Sequence, residues 1–285
     1  MKRRCGMGLV TGLLLASSLP AHGIVLRYRP KIDELTKRKV TVEGRMQTSI
    51  EGAGQFTQRE ATASVDYVEK ALSETAETTR VESRWVRGTL TTKANGESHT
   101  EELPPGRMVA DIDQRKRLAE VVEADFGGGV DSSALMGSGA ETWTSFFAQF
   151  GQFSEGDIEV GDSWSEKLKI PIAPAGSEIE VTVESRLLAL TTFQGRKCAK
   201  IRASFEGPIS LDLSDFGAPS EEAKGRLEAT FQGDMLWYYD YENSVDVYQE
   251  ASTRMEINLS VSEGEAPGGT ITTLATLKMK MTLAE

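Results

Sequence analysis

The residues that could do chemistry are few, and they gather in short turns. In "GDIEVGDSWSEKLKIPI", Asp157 and Asp162 lie five positions apart and Ser163 adds a hydroxyl. Two carboxylates near a turn can bind calcium or act as an acid–base pair. No twelve-residue, glycine-bearing calcium loop surrounds them. The spacing fits a β-turn better, with Gly161 at positive φ, Asp162 hydrogen-bonding its own backbone, and Trp164 burying its ring as a strand begins. Asp125 and Asp131 flank three glycines in "DFGGGVD", but no Lys-Ser/Thr pair follows to make a phosphate loop. Asp111 and Asp113 alternate with Ile112, as carboxylates on a solvated strand face do.

Nucleophilic chemistry has little to work with. The chain has two histidines, and only His99 lies beyond the leader, in the turn-rich "KANGESHTEELPPG". A Ser-His-Asp or Cys-His site would have to use that residue, and zinc would find no second histidine and no cysteine pair. No serine sits in a G-x-S-x-G or S-x-x-K motif. Of the two cysteines, Cys5 lies in the leader, so Cys198 in "GRKCAKI" stands alone, a small strand residue without a disulfide partner. Asn258-Leu259-Ser260 matches a glycosylation acceptor, a pattern frequent by chance. No cofactor or metal site is expected.

The aromatic residues carry the stronger signal. Trp143, Phe146, Phe147 and Phe150 stand at i, i+3, i+4 and i+7, one face of a helix. Ser138 and Glu141 form a capping box before it, and Gly151 ends it. Trp237 and Tyr239 share one face of a strand and Tyr238 takes the other. These sets can pack as core, or Trp143, Phe146, Phe147, Phe150, Trp237 and Tyr239 can line a cavity for an apolar guest.

The elements that position these groups are mostly strands. "KVTVEGRMQTSI", "ATASVDYVEKAL", "RVESRWVRGTLTT", "SEIEVTVESRLLAL", "KCAKIRASFEG" and "TITTLATLKMKMTLAE" alternate with period two between Gly, Asn, Asp and Pro signals. Ala63, Val65, Tyr67 and Glu69 fall on one face. So do Met235, Trp237, Tyr239 and Tyr241. Residues 108–122 read as a hairpin with a polar tip at Asp113 to Lys116, and Glu242-Asn243-Ser244 marks another turn. The expected fold is mainly β: a long-stranded antiparallel curled sheet, half-barrel-like, with one short aromatic amphipathic helix packed on it.

Four segments follow: a signal peptide over 1–23, a first half of the sheet over 24–125, a Gly/Ser-rich linker and aromatic helix over 126–157, and a second half over 158–285. The last three form one continuous domain. Lys2, Arg3 and Arg4, the short apolar run Gly6 to Leu19, and Ala21-His22-Gly23 make a Sec-type leader cleaved after Gly23. That run falls short of the roughly 20 residues that span a bilayer. Export to periplasm or medium is expected, with no stable membrane insertion after cleavage. The net charge of −11 disfavours nucleic acid and anionic lipid surfaces as partners.

"LRYRP…KVTVEGRM", "EVGDSW", "FQGRKCAKI" and "GDMLWYYDYENSVDVYQEASTRMEI" together resemble a family of uncharacterised secreted bacterial proteins with a central Val-Gly-Asp-x-Trp motif, matched here by Val160, Gly161, Asp162 and Trp164. More distantly, the architecture is similar to that of the periplasmic lipoprotein-localisation carriers, whose half-barrel holds acyl chains. The resemblance implies no catalytic residues. The reading is a non-enzymatic exported envelope protein that binds a lipid-like or other apolar ligand in a curled β-sheet. The alternatives are a structural or protein–protein interaction module with a fully packed core, and a hydrolase using carboxylates alone.

Overall fold

A computed structural model of the chain describes residues 23–51, 56–125, 151–172, 177–212, 223–263 and 269–284. They form one antiparallel sheet of twelve strands: β1 (Leu35–Ile50), β2 (Phe56–Glu74), β3 (Thr78–Ala94), β4 (Glu97–Leu103), β5 (Gly106–Asp113), β6 (Leu118–Asp125), β7 (Ser163–Ile172), β8 (Ser177–Phe193), β9 (Arg196–Asp212), β10 (Ala223–Asp240), β11 (Val245–Glu263) and β12 (Gly269–Leu283). The spatial order is β6-β5-β3-β2-β1-β12-β11-β10-β9-β8-β7, and β4 pairs with the end of β3 that β5 leaves free. Pro104 and Pro105 separate β4 from β5, because proline has no N–H to continue a ladder.

Turn chemistry sets the register. Asn95-Gly96 and Gln194-Gly195 are two-residue turns with positive φ at both positions. Their twist matches that of the strands they join. The strands are long: β2 and β11 have 19 residues each, or about 60 Å at roughly 3.3 Å per residue.

The half-barrel is corrected. The sheet is open, with β6 and β7 as outer strands paired on one side only, and is neither closed nor strongly curled as a whole. Among the described residues there is no helix. The expected aromatic helix, with Trp143, Phe146, Phe147 and Phe150, lies outside the described residues, as does Asp131.

The alternation places one apolar face along the whole sheet, and the two ends of that face differ. At the end carrying the β2–β3, β5–β6, β8–β9 and β10–β11 turns, here the near end, irregular chain covers it. Residues 24–28 and 151–158 lie there and bond to each other through Ile24 and Ile158, at 2.8 and 3.0 Å. The β5–β6 turn joins them: Gln114 O accepts from Tyr28 N and Arg115 O from Phe153 N, both at 2.9 Å. Leu26, Tyr28, Phe153 and Ile158 are buried against Leu187, Ile201, Trp237 and Tyr239. This is the core.

Gly233 shows how tightly the middle of the face is packed. The ring of its cross-strand partner Phe205 lies over it, and a Cβ there would come within 2.2 Å of that ring.

Candidate functional site

The Val160-Gly161-Asp162-Ser163-Trp164 segment is a turn, as its spacing predicts. Gly161 has φ 106°. Asp162 Oδ2 accepts from Glu159 N at 2.9 Å. Gly161 N donates to Leu187 O at 2.8 Å and Leu187 N to Asp162 O at 3.0 Å, which ties the turn to β8. Trp164 is half-buried against the core and donates its indole N–H to Gln152 O at 2.9 Å. Asp157 and Asp162 are both exposed. The segment anchors β7 and the 151–158 strap.

The other reactive groups are dispersed. His99 is exposed on β4. Cys198 is fully buried, and burial, then the charge of Asp240, pushes its thiol up to about 11. A thiol in that state is a poor nucleophile. Asp111 forms a bidentate pair with Arg80, both bonds 2.8 Å. Among the described residues no three His, Cys, Asp or Glu side chains are grouped to hold a metal ion.

Trp237 and Tyr239 are both fully buried. Phe153 stacks on Trp237 at 5.1 Å with an interplanar angle of 7°, and meets Tyr239 at 4.7 Å. Lys116 Nζ lies 4.3 Å from the Trp237 ring centre. Trp237 Nε1 donates to Asp246 at 2.8 Å, and Tyr239 OH to Arg27 O at 2.6 Å. Their contacts are therefore side chains and backbone of the protein itself.

Beside these rings is a buried ionic cluster that the sequence reading did not anticipate. Lys116, in the β5–β6 turn, reaches Asp246 at 2.6 and 2.7 Å. Arg38, on β1, pairs with Glu69 on β2 at 2.9 Å and lies 3.9 Å from Asp246. Tyr28 OH donates to Glu69 at 3.1 Å. Burial alone would raise the Asp246 carboxyl. Lys116 and Arg38, with the hydrogen bonds from Lys116 and Trp237, outweigh it and hold that carboxyl below the usual carboxylate range. Burial lowers Lys116, partly offset by Asp246. Two cations balance two anions, as a dry site requires. Among the described residues, the Arg38 Nε has no partner, the one uncompensated polar atom of the cluster. Arg115, next in the same turn, pairs with Glu166 on β7 and donates from Nε to Phe153 O at 3.0 Å. This turn clasps strands that stand far apart in the sheet order, and the cluster seals the core.

A signal for the cluster was present. Arg38 is in phase with Val40 and Val42, and Glu69 with Val65 and Tyr67. A charge standing in an apolar phase must find a partner.

Among the described residues, the less covered part of the apolar face is at the far end. The register brings Met46, Ala275 and Met255 to one level, Thr48, Thr273 and Ile257 to the next, and Ile50, Ile271 and Leu259 to the last. Met46, Met255, Ile257, Leu259 and Ile271 are half-buried, and Ile50 is 40% exposed. Sulfur and branched aliphatic side chains make most of this surface, with the Thr48 and Thr273 hydroxyls bonded to each other at 3.1 Å between them, a composition suited to holding an apolar guest.

No known family matches the chain, and no curated protein matches it. Among the solved structures that are distantly similar, three each share 8% identity with the chain. Lipovitellin, in a study of its lipid–protein interactions, gives a TM-score of 0.43 over 90% of this chain and 25% of its own. OpdQ of Pseudomonas aeruginosa gives 0.30 over 89% of this chain and 100% of its own, and OccK7 (OpdD) of the same organism gives 0.28 over 88% and 100%. The chain spans about a quarter of the lipovitellin chain. The likeness is distant and assigns no family.

Proposed function

We propose that this chain is a non-enzymatic exported envelope protein that holds a lipid-like or other apolar ligand against the far half of its apolar sheet face. One observation carries the reading: a continuous apolar face is capped by irregular chain at its near end and stays half-open at Met46, Ile50, Met255, Ile257, Leu259 and Ile271. An acyl chain laid along these rows would bury surface at about 25 cal/mol per Å². The separate placement of the carboxylates, and the inert state of Cys198, favour binding over catalysis. Native mass spectrometry after incubation with palmitate tests the reading. Retained palmitate is expected, with loss on Ile257→Asp; a clean apo mass under mild conditions would overturn it.

A competing reading, a protein-interaction module, draws on β6. It is an outer strand with Val121 and Val122 each 43% exposed, and an uncovered strand can accept another. Palmitate retention with no self-association separates the two.

A further inference from the structure

On the face opposite the core, the sheet carries a groove of about 710 Å³ across β1, β12, β11, β10 and β9. Leu236, Glu250 and Ser252 contribute to its floor. Lys278 and Lys280 of β12 line one side, with their cross-strand partners Glu43 and Thr41 of β1 beyond them, and Lys200 and Arg202 of β9 line the other. Three strand spacings, about 14 Å, separate those two sides. Arg202 is paired with Asp234 at 2.8 Å. Among the described residues, the ammonium groups of Lys200, Lys278 and Lys280 have no carboxylate partner, although the chain carries 43 acidic residues.

A second feature adjoins this groove. Phe193, Tyr238 and Tyr248 form a ring cluster on the solvent side of the sheet. Phe193 and Tyr238 stack at 4.1 Å, and Tyr248 stands edge-on to both at 5.9 and 6.0 Å. All three are half-buried. Lys200 and Lys280 lie over Tyr238 and Tyr248, each 5.6 Å from the ring centre. Tyr248 OH donates to Glu250 at 2.8 Å. The register makes the continuity direct: Lys200 is the cross-strand partner of Tyr238, and Lys280 that of Glu250.

We propose that this groove binds an acidic oligosaccharide, one whose sugars carry carboxylate groups. At the end of the groove, the ring surfaces left free by these stacking and lysine contacts accept the C–H faces of pyranoses. The Arg202–Asp234 and Tyr248–Glu250 pairs present donors and acceptors side by side for hydroxyls. The three lysines supply positive charge for uronate groups on both sides of the groove. A peptide fits less well. The floor strands are interior and hydrogen-bonded to neighbours on both sides, so an added strand would find no free main-chain partners. The groove is on the opposite face from the apolar rows, so this assignment stands apart from palmitate retention.

Isothermal titration with trigalacturonate tests it. Saturable one-site binding is expected, weakening as salt screens the lysines. Maltotriose should bind at least about tenfold more weakly, a difference of about 1.4 kcal/mol. Lys200→Glu with Lys280→Glu should lower trigalacturonate affinity by at least the same factor, with melting temperature and palmitate retention unchanged; Lys278→Glu provides an independent variant on the β12 side. No binding, binding indifferent to these substitutions, or equally tight binding of triglutamate would overturn the proposal.

Discussion

The near and far ends of the sheet are built from the same alternating pattern but are stabilised differently. At the near end, Trp237 and Tyr239 meet Phe153, Leu26 and Tyr28, and a four-charge cluster closes the edge of that core. At the far end, Ile257, Leu259 and Ile271 project from interior strands and remain half-buried. Alternation alone therefore decides which side of a strand is apolar. The irregular segments 24–28 and 151–158 decide which part of that side is core.

Breaking the near end should cost most. Trp237→Ala removes a ring stacked on Phe153 and a hydrogen bond to Asp246, and should lower stability by about 3–5 kcal/mol in chemical denaturation. Asp246→Ala should cost about as much, 3–5 kcal/mol, because it leaves Lys116 and Arg38 buried without their shared counter-charge. The pH dependence follows. The folded Asp246 carboxyl titrates below its unfolded value near 3.9. Its contribution is present above that value and is lost as pH falls through the lower, folded one. Melting followed between pH 6 and pH 2 should show a steeper acid loss in the parent than in Asp246→Asn.

Intermediate effects sharpen the boundary. Gly233→Ala forces Phe205 aside and should cost about 1–3 kcal/mol. Trp164→Ala, losing a half-buried ring and the bond to Gln152 O, should cost about 2–3 kcal/mol, less than full burial of the ring would give. The smallest effect belongs to the far end: Ile257→Ala should cost about 1 kcal/mol or less without ligand, because much of the side chain already meets water. A loss as large as that of Trp237→Ala would show that the two ends are equally packed.

Much of the sheet was legible in the sequence. The phase of Met235, Trp237 and Tyr239, the 113–116 tip and the turn at 161–162 follow from period two and turn chemistry, which are local. Of the ionic cluster only the out-of-place charges of Arg38 and Glu69 were legible; their grouping with Lys116 and Asp246 was not, because the four sit on elements that only the folded topology brings together. The open sheet in place of a half-barrel has the same cause: strand patterning specifies faces, while curvature depends on bulges, strand pairing and what packs on the sheet. The proposed ligand rows differ from the aromatic candidates for a related reason. Aromatic content pointed to Trp237 and Tyr239, but large rings serve most readily to fill a core, and the open rows are lined by Met, Ile and Leu.

Hydrogen exchange on the free and palmitate-treated protein tests the central claim most directly. The account predicts slow exchange at 235–247 in both samples, faster exchange at 46–50, 255–260 and 269–274 in the free protein, and protection gained there with palmitate. Uniform protection of both ends in the free protein, or palmitate protection confined to 235–247, would contradict it.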